Sequence, residues 1–177
     1  MKKTTSHIIA VLAFALMVGI DQLTKFFART TLPESVDIIK GVLRLTYVKN
    51  TGAAWGIFAG RQIFFIVLTL IMLVAIVYIY LKTPHDKKYL SIKTCLVTLA
   101  AGAVGNLIDR IYKGYVDDFI DFHIINFPVF NYADICVCIS MILLVIAVVF
   151  QYKDNDFAYL KSSKKESESE VKDGDIE

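Results

Sequence analysis

The block from Ile63 to Leu81 constrains the fold of this chain more than any other segment. It holds no charged residue, and Thr69 and the tyrosine hydroxyls are its only polar side-chain groups. A helix needs about 20 apolar residues to cross the hydrocarbon core of a bilayer, which is ~30 Å thick. The block has that length, so it predicts a transmembrane helix.

Three more apolar blocks lie before and after it. Together the four predict spans at approximately 7–28, 63–82, 89–108 and 135–152. A buried helix of a soluble protein is the alternative for any one block. Yet 56% of the 177 residues are hydrophobic, and so short a chain has too little interior to bury four such helices. The first block resembles a secretory signal peptide, but no small-x-small cleavage site follows it, so we expect it to remain as the first span.

Four spans place both chain termini on the same side of the membrane. Eleven of the nineteen basic residues fall in the two terminal segments and the loop 82–93, which predicts that these segments are cytoplasmic. Residues 1–153 are therefore predicted to form one membrane domain. Residues 154–177 are rich in charged residues and serine, and we predict that they form a disordered cytoplasmic tail.

The segment that joins the first two spans has a different pattern. Between Val42 and Lys49 its side chains alternate with a period of two residues, as in a β-strand, and residues 50–52 supply a turn signal. We therefore predict an all-α integral membrane protein with four transmembrane helices and a small β-rich extracytoplasmic platform. Trp55 is expected to anchor that platform at the membrane interface.

Six aspartates lie at or near the ends of the predicted spans on the platform side. They are Asp21, Asp109, Asp117, Asp118, Asp121 and Asp134. An ionised carboxylate there is costly unless it is paired, hydrated or used, so these residues are candidates for a functional site. The alternatives are structural, since Asp134 is placed to cap the fourth span and Asp109 is placed to pair with Arg110.

The other side chains offer no competing chemistry. The three histidines do not form a metal-binding pattern, the three cysteines lie in predicted spans, and no serine stands in a nucleophile-elbow context. We therefore expect neither a metal nor an organic cofactor. Two aspartates that share one proton can activate a water molecule and protonate a leaving amine, because adjacent like charges separate their pKa values. The residues alone do not select the pair.

Five stretches of the sequence resemble those of bacterial lipoprotein signal peptidases, in the same order along nearly the whole chain. They are Asp21–Lys25, Asn50–Gly56, Gly102–Arg110, Val116–Asp121 and Phe127–Asp134. The resemblance implies an aspartic endopeptidase of the bacterial cytoplasmic membrane, with its active site near the outer face. It also implies the reaction, which is removal of the signal peptide from a prolipoprotein by cleavage before a diacylglyceryl-modified cysteine.

The resemblance assigns individual positions as well. It implies that Asp118 and Asp134 are the catalytic pair. It implies that ten further residues bind substrate or support the site: Asp21, Lys25, Asn50, Gly52, Gly102, Asn106, Asp109, Arg110, Asn131 and Ala133. Two positions depart from the family pattern. Asp117 stands where family members more often have an apolar residue, and Ile135 stands where serine is common.

The expected partners are lipid-modified prolipoproteins and membrane lipids, with no nucleic acid, and the chain is expected to act as a monomer. One alternative is a small membrane transporter that uses the clustered carboxylates as a proton or ion path. A non-enzymatic membrane scaffold is a second. The sequence of a transporter is expected to have acidic residues spread through the bilayer depth or an internal repeat. The aspartates here lie instead at one end of the spans.

Overall fold

The computed structural model describes residues 3–32, 35–52, 57–125 and 127–161. Four long helices dominate them: α1 (Lys3–Thr31), α2 (Gln62–Lys82), α3 (Leu90–Lys113) and α4 (Tyr132–Phe150). Each is long and apolar enough to cross a membrane, which confirms the four predicted spans. Trp55, the expected interfacial anchor, lies outside the described residues.

Helix α3 is the centre of the bundle. It packs against each of the other three long helices, and half of its most apolar stretch is buried, whereas the other three helices expose most of theirs. The exposed faces carry large apolar side chains such as Ile63, Val74 and Val149. Apolar surface on this scale indicates contact with lipid.

Three helices extend at least three residues beyond their predicted bounds at the platform end, and the first of them, α1, ends at Thr31 rather than 28. α3 continues to Lys113 rather than ending near residue 108, and it stops where Gly114 takes the left-handed conformation at φ 76°, which glycine adopts without steric penalty. α4 begins at Tyr132 rather than 135, because the Asn131 side chain accepts a hydrogen bond from the Asp134 N–H and so caps the helix. Hydropathy predicts only the apolar part of a helix, so these polar turns were missed.

The predicted β-rich platform is present, and it is a three-stranded antiparallel sheet. Its strands β1 (Val36–Ile39), β2 (Leu43–Asn50) and β3 (Val116–Phe122) lie in the order β1-β2-β3. β3 comes from the connection between α3 and α4 and also contacts α1 and α3. A short bridge between Ile120 and Phe130 ties the segment before α4 to β3. The sheet therefore closes the end of the bundle at which α4 begins.

The opposite end of the bundle holds a buried apolar core that includes Ile76, Leu96 and Tyr152. A 3-10 turn (Asp154–Phe157) and the single-turn helix α5 (Ala158–Lys161) follow α4 there. Phe157 packs against the core, and the Tyr89 hydroxyl donates to the carbonyl oxygen of Asp156 at 3.0 Å. The first residues of the segment predicted as a tail thus form ordered structure, because their aromatic side chains have a core to pack against. Residues 162–177 lie outside the described residues.

Close contact between the helices depends on two glycines of α3. A Cβ atom added at Gly102 would stand 2.5 Å from the carbonyl oxygen of Ala133 on α4, and one added at Gly105 would collide with the carboxylate of Asp21 on α1. Both positions therefore require a residue without a side chain. Gly102 and Ala133, two of the predicted site residues, act here as the contact surface between α3 and α4.

Candidate active site

The geometry of strand β3 determines which of its three aspartates faces a cavity beside the sheet. Successive side chains on a strand point to opposite faces. Asp118, Ile120 and Phe122 line a cavity of about 660 Å³ between the sheet and α4. Asp117 and Asp121 fall on the other face of the strand and do not line it. The strand thus presents one carboxylate, that of Asp118, to the cavity.

Asp134 lines the same cavity from the first turn of α4. One of its oxygens, Oδ2, accepts the backbone N–H of Asn131 at 3.0 Å, and its own N–H donates to the Asn131 Oδ1 at 3.1 Å. These two hydrogen bonds form a capping box, so Asp134 does cap the fourth helix, as the structural alternative proposed. The other oxygen, Oδ1, accepts the Asn106 amide at 2.8 Å. Asp134 therefore caps a helix and faces the cavity at once.

The carboxylate of Asp118 is held by two side-chain amides. Asn50 donates to Oδ2 at 2.8 Å, and Asn131 donates to Oδ1 at 2.6 Å. Asp118 is only 2% exposed. Burial, followed by the charge of Asp134, raises the pKa of Asp118 to about 7. Its proton is therefore retained into the neutral range, where an ordinary aspartate is fully ionised.

Asn106 and Asn131 connect the two carboxylates. Asn131 donates through one amide nitrogen both to Asp118 and to the Asn106 Oδ1, the latter at 3.1 Å. The same Asn106 oxygen accepts the ammonium of Lys25 at 2.8 Å. Since Lys25 can only donate, the oxygen of Asn106 is turned toward it and the NH₂ group is turned toward Asp134. A cation behind the cavity thus fixes which end of an amide faces the carboxylate.

Lys25 is completely buried and lies between two further aspartates. Its ammonium is 2.9 Å from Asp21 and 3.1 Å from Asp109. Asp21 also accepts the backbone N–H of Ala133 at 3.0 Å, which ties α1 to the start of α4. Asp21, Lys25 and Asp109 do not line the cavity. These three residues lie behind the cavity and support the elements that line it.

Asp117 belongs to a second ion cluster, which lies next to Asp109. Its carboxylate is 2.5 Å from Lys113 and 3.1 Å from Arg29, and it accepts the Tyr47 hydroxyl at 2.8 Å. Lys113 also reaches Asp109, at 2.7 Å. The extra acid that departs from the family pattern is therefore neutralised by two cations. It points away from the cavity and does not compete with Asp118.

Arg110 and Gly52 shape the wall of the cavity near Asn50. The Arg110 guanidinium lies 4.9 Å above the Phe65 ring and 3.5 Å from the carbonyl oxygen of Gly52. Its Nε atom is buried and, among the described residues, has no hydrogen-bond partner. The N–H of Gly52 donates to the Asn50 Oδ1 at 2.9 Å, which turns the amide NH₂ of Asn50 toward Asp118.

The predicted site residues thus divide into three groups. Asp118, Asp134, Asn50, Gly52, Asn106 and Arg110 line the cavity. Asn131 and the buried trio of Asp21, Lys25 and Asp109 hold those residues in place. Gly102 and Ala133 pack α3 against α4. Ile135, the second departure from the family pattern, adds an apolar side chain to the cavity wall.

Sequence reasoning missed the three side-chain partners of Asp117, which are Arg29, Tyr47 and Lys113. Only Lys113 left a signal, because it stands four residues after Asp109 on the same helix and residues at that spacing are neighbours on a helix. Arg29 and Tyr47 reach Asp117 through the tertiary fold alone. Within the described ranges, no three histidine, cysteine or acidic side chains are arranged to hold a metal ion.

The chain is similar to known proteins along most of its length. Residues 13–150 match the model of a family described as Signal peptidase (SPase) II. The chain is 40% identical over 172 residues to the lipoprotein signal peptidase of Staphylococcus aureus strain JH9, and the alignment covers 95% of each protein. The protein of the same description from strain Newman matches to the same extent.

Two solved structures share the fold, and both are described as bacterial membrane enzymes determined by the in meso method. The one at 2.3 Å resolution has a TM-score of 0.73 and 37% identity, over 82% of this chain and 92% of that chain. The one at 1.9 Å resolution has a TM-score of 0.71 and 38% identity, over 81% and 94%.

Proposed function

This chain belongs to the signal peptidase II family, and we propose that Asp118 and Asp134 are the catalytic pair with which it cleaves lipoprotein precursors. It is a membrane protease with four membrane-capable helices. A transporter is not favoured, since the relatives are lipoprotein signal peptidases and membrane enzymes. The observation that carries the proposal is that these two carboxylates line one cavity and are joined through Asn131 and Asn106.

The proposed reaction uses one proton shared by the pair. Asp118 carries it at rest, which its raised pKa of about 7 supports. Ionised Asp134 takes a proton from a water molecule, whose oxygen forms a bond with the carbonyl carbon of the scissile peptide, while Asp118 donates a hydrogen bond to the carbonyl oxygen. A proton then passes to the peptide nitrogen and the C–N bond breaks. The products are a new carboxylate on the signal peptide and a free amine on the cysteine, and the two aspartates titrate as one unit.

The lining of the cavity supports a lipid-bearing substrate. Apart from the polar groups around the pair, the wall is aromatic and aliphatic, with Phe122, Phe127 and Phe130 from the platform side and Ile135 and Ile139 from α4. A diacylglyceryl group on the cysteine after the cleaved bond matches such a wall, because its acyl chains are apolar. The cysteine would enter beside Asp118 and Asp134 while its lipid stays along α4.

We place the pair near the outer face of the bacterial membrane, with both chain termini in the cytoplasm. The start of α1, the end of α4 and the loop between α2 and α3 lie at the end of the bundle opposite the sheet. Most basic residues of the sequence fall in that loop or in the chain segments before α1 and after α4, and basic residues favour the cytoplasmic side. One chain supplies both aspartates and the three asparagines that hold them. We therefore propose that the monomer is active, which predicts full activity with one chain per lipid nanodisc.

The test is cleavage of a diacylglyceryl-modified prolipoprotein by purified protein in lipid. We expect Asp118→Asn and Asp134→Asn to lose all measurable cleavage while they retain the wild-type fold. Asp121→Asn is the matched control, because Asp121 lies on the same strand but pairs with Arg44 away from the cavity, and it should remain active. The same precursor with serine in place of its cysteine should not be cut.

Both Asp118→Asn and Asp134→Asn are first checked for normal folding. If either variant still cleaves the precursor, the residue replaced in it is not a member of the catalytic pair. Loss of cleavage in Asp117→Asn but not in Asp118→Asn would move the catalytic position by one residue along β3.

A further inference from the structure

A second set of polar groups lies at the end of the bundle opposite the aspartates. There the ammonium of Lys93 is 3.2 Å from the His85 Nε2 atom and 4.8 Å from the centre of the Tyr80 ring. The His7 ring packs edge-on against the His85 ring, with centroids 4.5 Å apart, and its Nδ1 atom is 3.4 Å from the Tyr80 hydroxyl. We call His7, His85 and Lys93 the basic cluster.

Lys93 in this cluster is a buried cation without a matching anion. It is only 6% exposed, and among the described residues no carboxylate lies within ion-pair distance of it. A lysine near the end of a membrane helix commonly extends its ammonium to the aqueous interface, but this one is covered by protein. Burial of an unpaired charge is unfavourable unless an anion compensates it.

An apolar groove runs from the basic cluster toward the middle of the bundle. Its volume is about 210 Å³, and His7 and Tyr80 stand at its polar end. Ala10 and Phe14 of α1, Ile76 of α2 and Ala100 of α3 line the rest. All of these residues lie within the membrane-capable helices. The groove therefore ends at His7 of the basic cluster and at Tyr80, with the ammonium of Lys93 beside the Tyr80 ring, and its body along the three helices is apolar.

We propose that this groove binds an anionic phospholipid, with the phosphate at the basic cluster and one acyl chain between α1, α2 and α3. Charge complementarity selects the headgroup, since the donors of Lys93 and the histidines favour a phosphate oxygen over a neutral headgroup. A lipid is favoured over a soluble anion, because the residues that line the groove lie within the membrane-capable helices. Bound there, the lipid joins three helices at the end of the bundle that the sheet does not close.

This site is separate from the aspartate pair and does not rest on the proposed function. Lys93 and Asn106 stand on the same helix, and a rise of 1.5 Å per residue separates them by roughly 20 Å. A readout of lipid binding and stability, independent of proteolysis, therefore tests it.

The experiment compares full-length protein in phosphatidylcholine vesicles with and without phosphatidylglycerol. We expect phosphatidylglycerol to raise the thermal unfolding midpoint of the wild type and to remain bound in native mass spectrometry after detergent extraction. Lys93→Met should weaken that retention roughly fivefold, the typical effect of one basic residue near an anionic lipid. In pure phosphatidylcholine the same variant should be at least as stable as the wild type, because it removes an uncompensated charge.

Two further variants complete the design. Ala100→Leu narrows the groove without altering charge and should also weaken retention. Lys87→Met removes an exposed lysine at the same end of the bundle, outside the groove, and should behave as the wild type.

The proposal is wrong if the wild type shows no preference for phosphatidylglycerol, or if Lys93→Met keeps it. An equal rise in the midpoint from inorganic phosphate alone would show an anion site without a lipid chain. A preference that emerges only when Glu166, Glu168 and Glu170 are replaced by Gln would show that the acidic C-terminal segment fills the basic cluster instead. Either result would overturn the proposal.

Discussion

Three side-chain amides around the aspartates are oriented by groups that lie behind them. The oxygen of Asn106 accepts from Lys25, that of Asn50 accepts from the Gly52 N–H, and that of Asn131 accepts from the first turn of α4. Each NH₂ group is therefore left to face a carboxylate. A ring of neutral donors can stabilise a carboxylate in the transition state without adding a charge.

Lys25 is the residue on which most of this arrangement depends. Its replacement by Met leaves Asp21 without its cation and removes one of the two cations of Asp109. Loss of one partner from a buried ion pair costs about 3–5 kcal/mol. We expect Lys25→Met to lower the thermal unfolding midpoint in detergent strongly, while Lys87→Met, at an exposed site, does not. An unchanged midpoint would show that the buried pairs contribute nothing to stability.

The pH dependence of cleavage follows from Asp118. Burial and then the charge of Asp134 raise the pKa of Asp118 to about 7. Above that pH both carboxylates are ionised, and the proton that assists the carbonyl oxygen is lost. We expect kcat/KM to fall as the pH rises through about 7. The Asp121→Asn control should keep the same alkaline limb, and a profile that stays flat from neutral to alkaline pH would contradict the assignment.

At the level of secondary-structure elements, the sequence predicted the helices better than the sheet. The apolar length of a span is a local property, so four blocks were enough to locate four helices. Pairing of β2 with β3 joins residues far apart in the chain, and its register shifts between Leu45 and Val48. No local pattern predicts that shift. For the same reason the residues alone could not separate Asp118 from Asp117 before the faces of β3 were known.

The contact between α3 and α4 gives a prediction at this scale. A methyl group at Gly102 would meet the Ala133 carbonyl oxygen at 2.5 Å and the Val137 side chain at 2.9 Å. Gly102→Ala should push α4 outward, displace Asp134, and destabilise the fold by about 1–3 kcal/mol. Thermal unfolding and the cleavage rate would both report the change.

Gly19 provides the matched control, because a Cβ atom there has no neighbour within 4 Å. In the interior of α1, Gly19→Ala should stabilise the helix by about 0.5–1 kcal/mol and leave cleavage intact. Equal behaviour of the two alanine variants would show that the close approach at Gly102 is not required.

Across the whole molecule, the two ends of the bundle have different compositions. The sheet end contains the six aspartates and their partners, and the other end contains the apolar core and the basic cluster. The sequence predicted this division correctly for the acids, since all six lie near the ends of spans. It did not predict the basic cluster, because its members come from α1, the loop after α2 and α3.

The proposed orientation predicts which end reacts with a membrane-impermeant thiol reagent on intact cells. In a Cys138→Ala background, His123→Cys, beside the sheet, should be labelled from outside. Lys87→Cys, in the loop before α3, should be labelled only after the cells are opened. Both positions are exposed, so the difference reports the side of the membrane. The reverse labelling pattern would show that the sheet end faces the cytoplasm, opposite to the proposed orientation.

The segment between Asp118 and Asp134 also has a consequence for biosynthesis. Both aspartates lie within a stretch of 17 residues that is closed by backbone hydrogen bonds between Ile120 and Phe130. Asp134 is positioned only when Asn131 caps α4, the last of the four long helices to leave the ribosome. We therefore expect that the proposed pair does not form in a nascent chain until its final span is inserted. We therefore expect proteolytic activity to appear only at the last step of assembly.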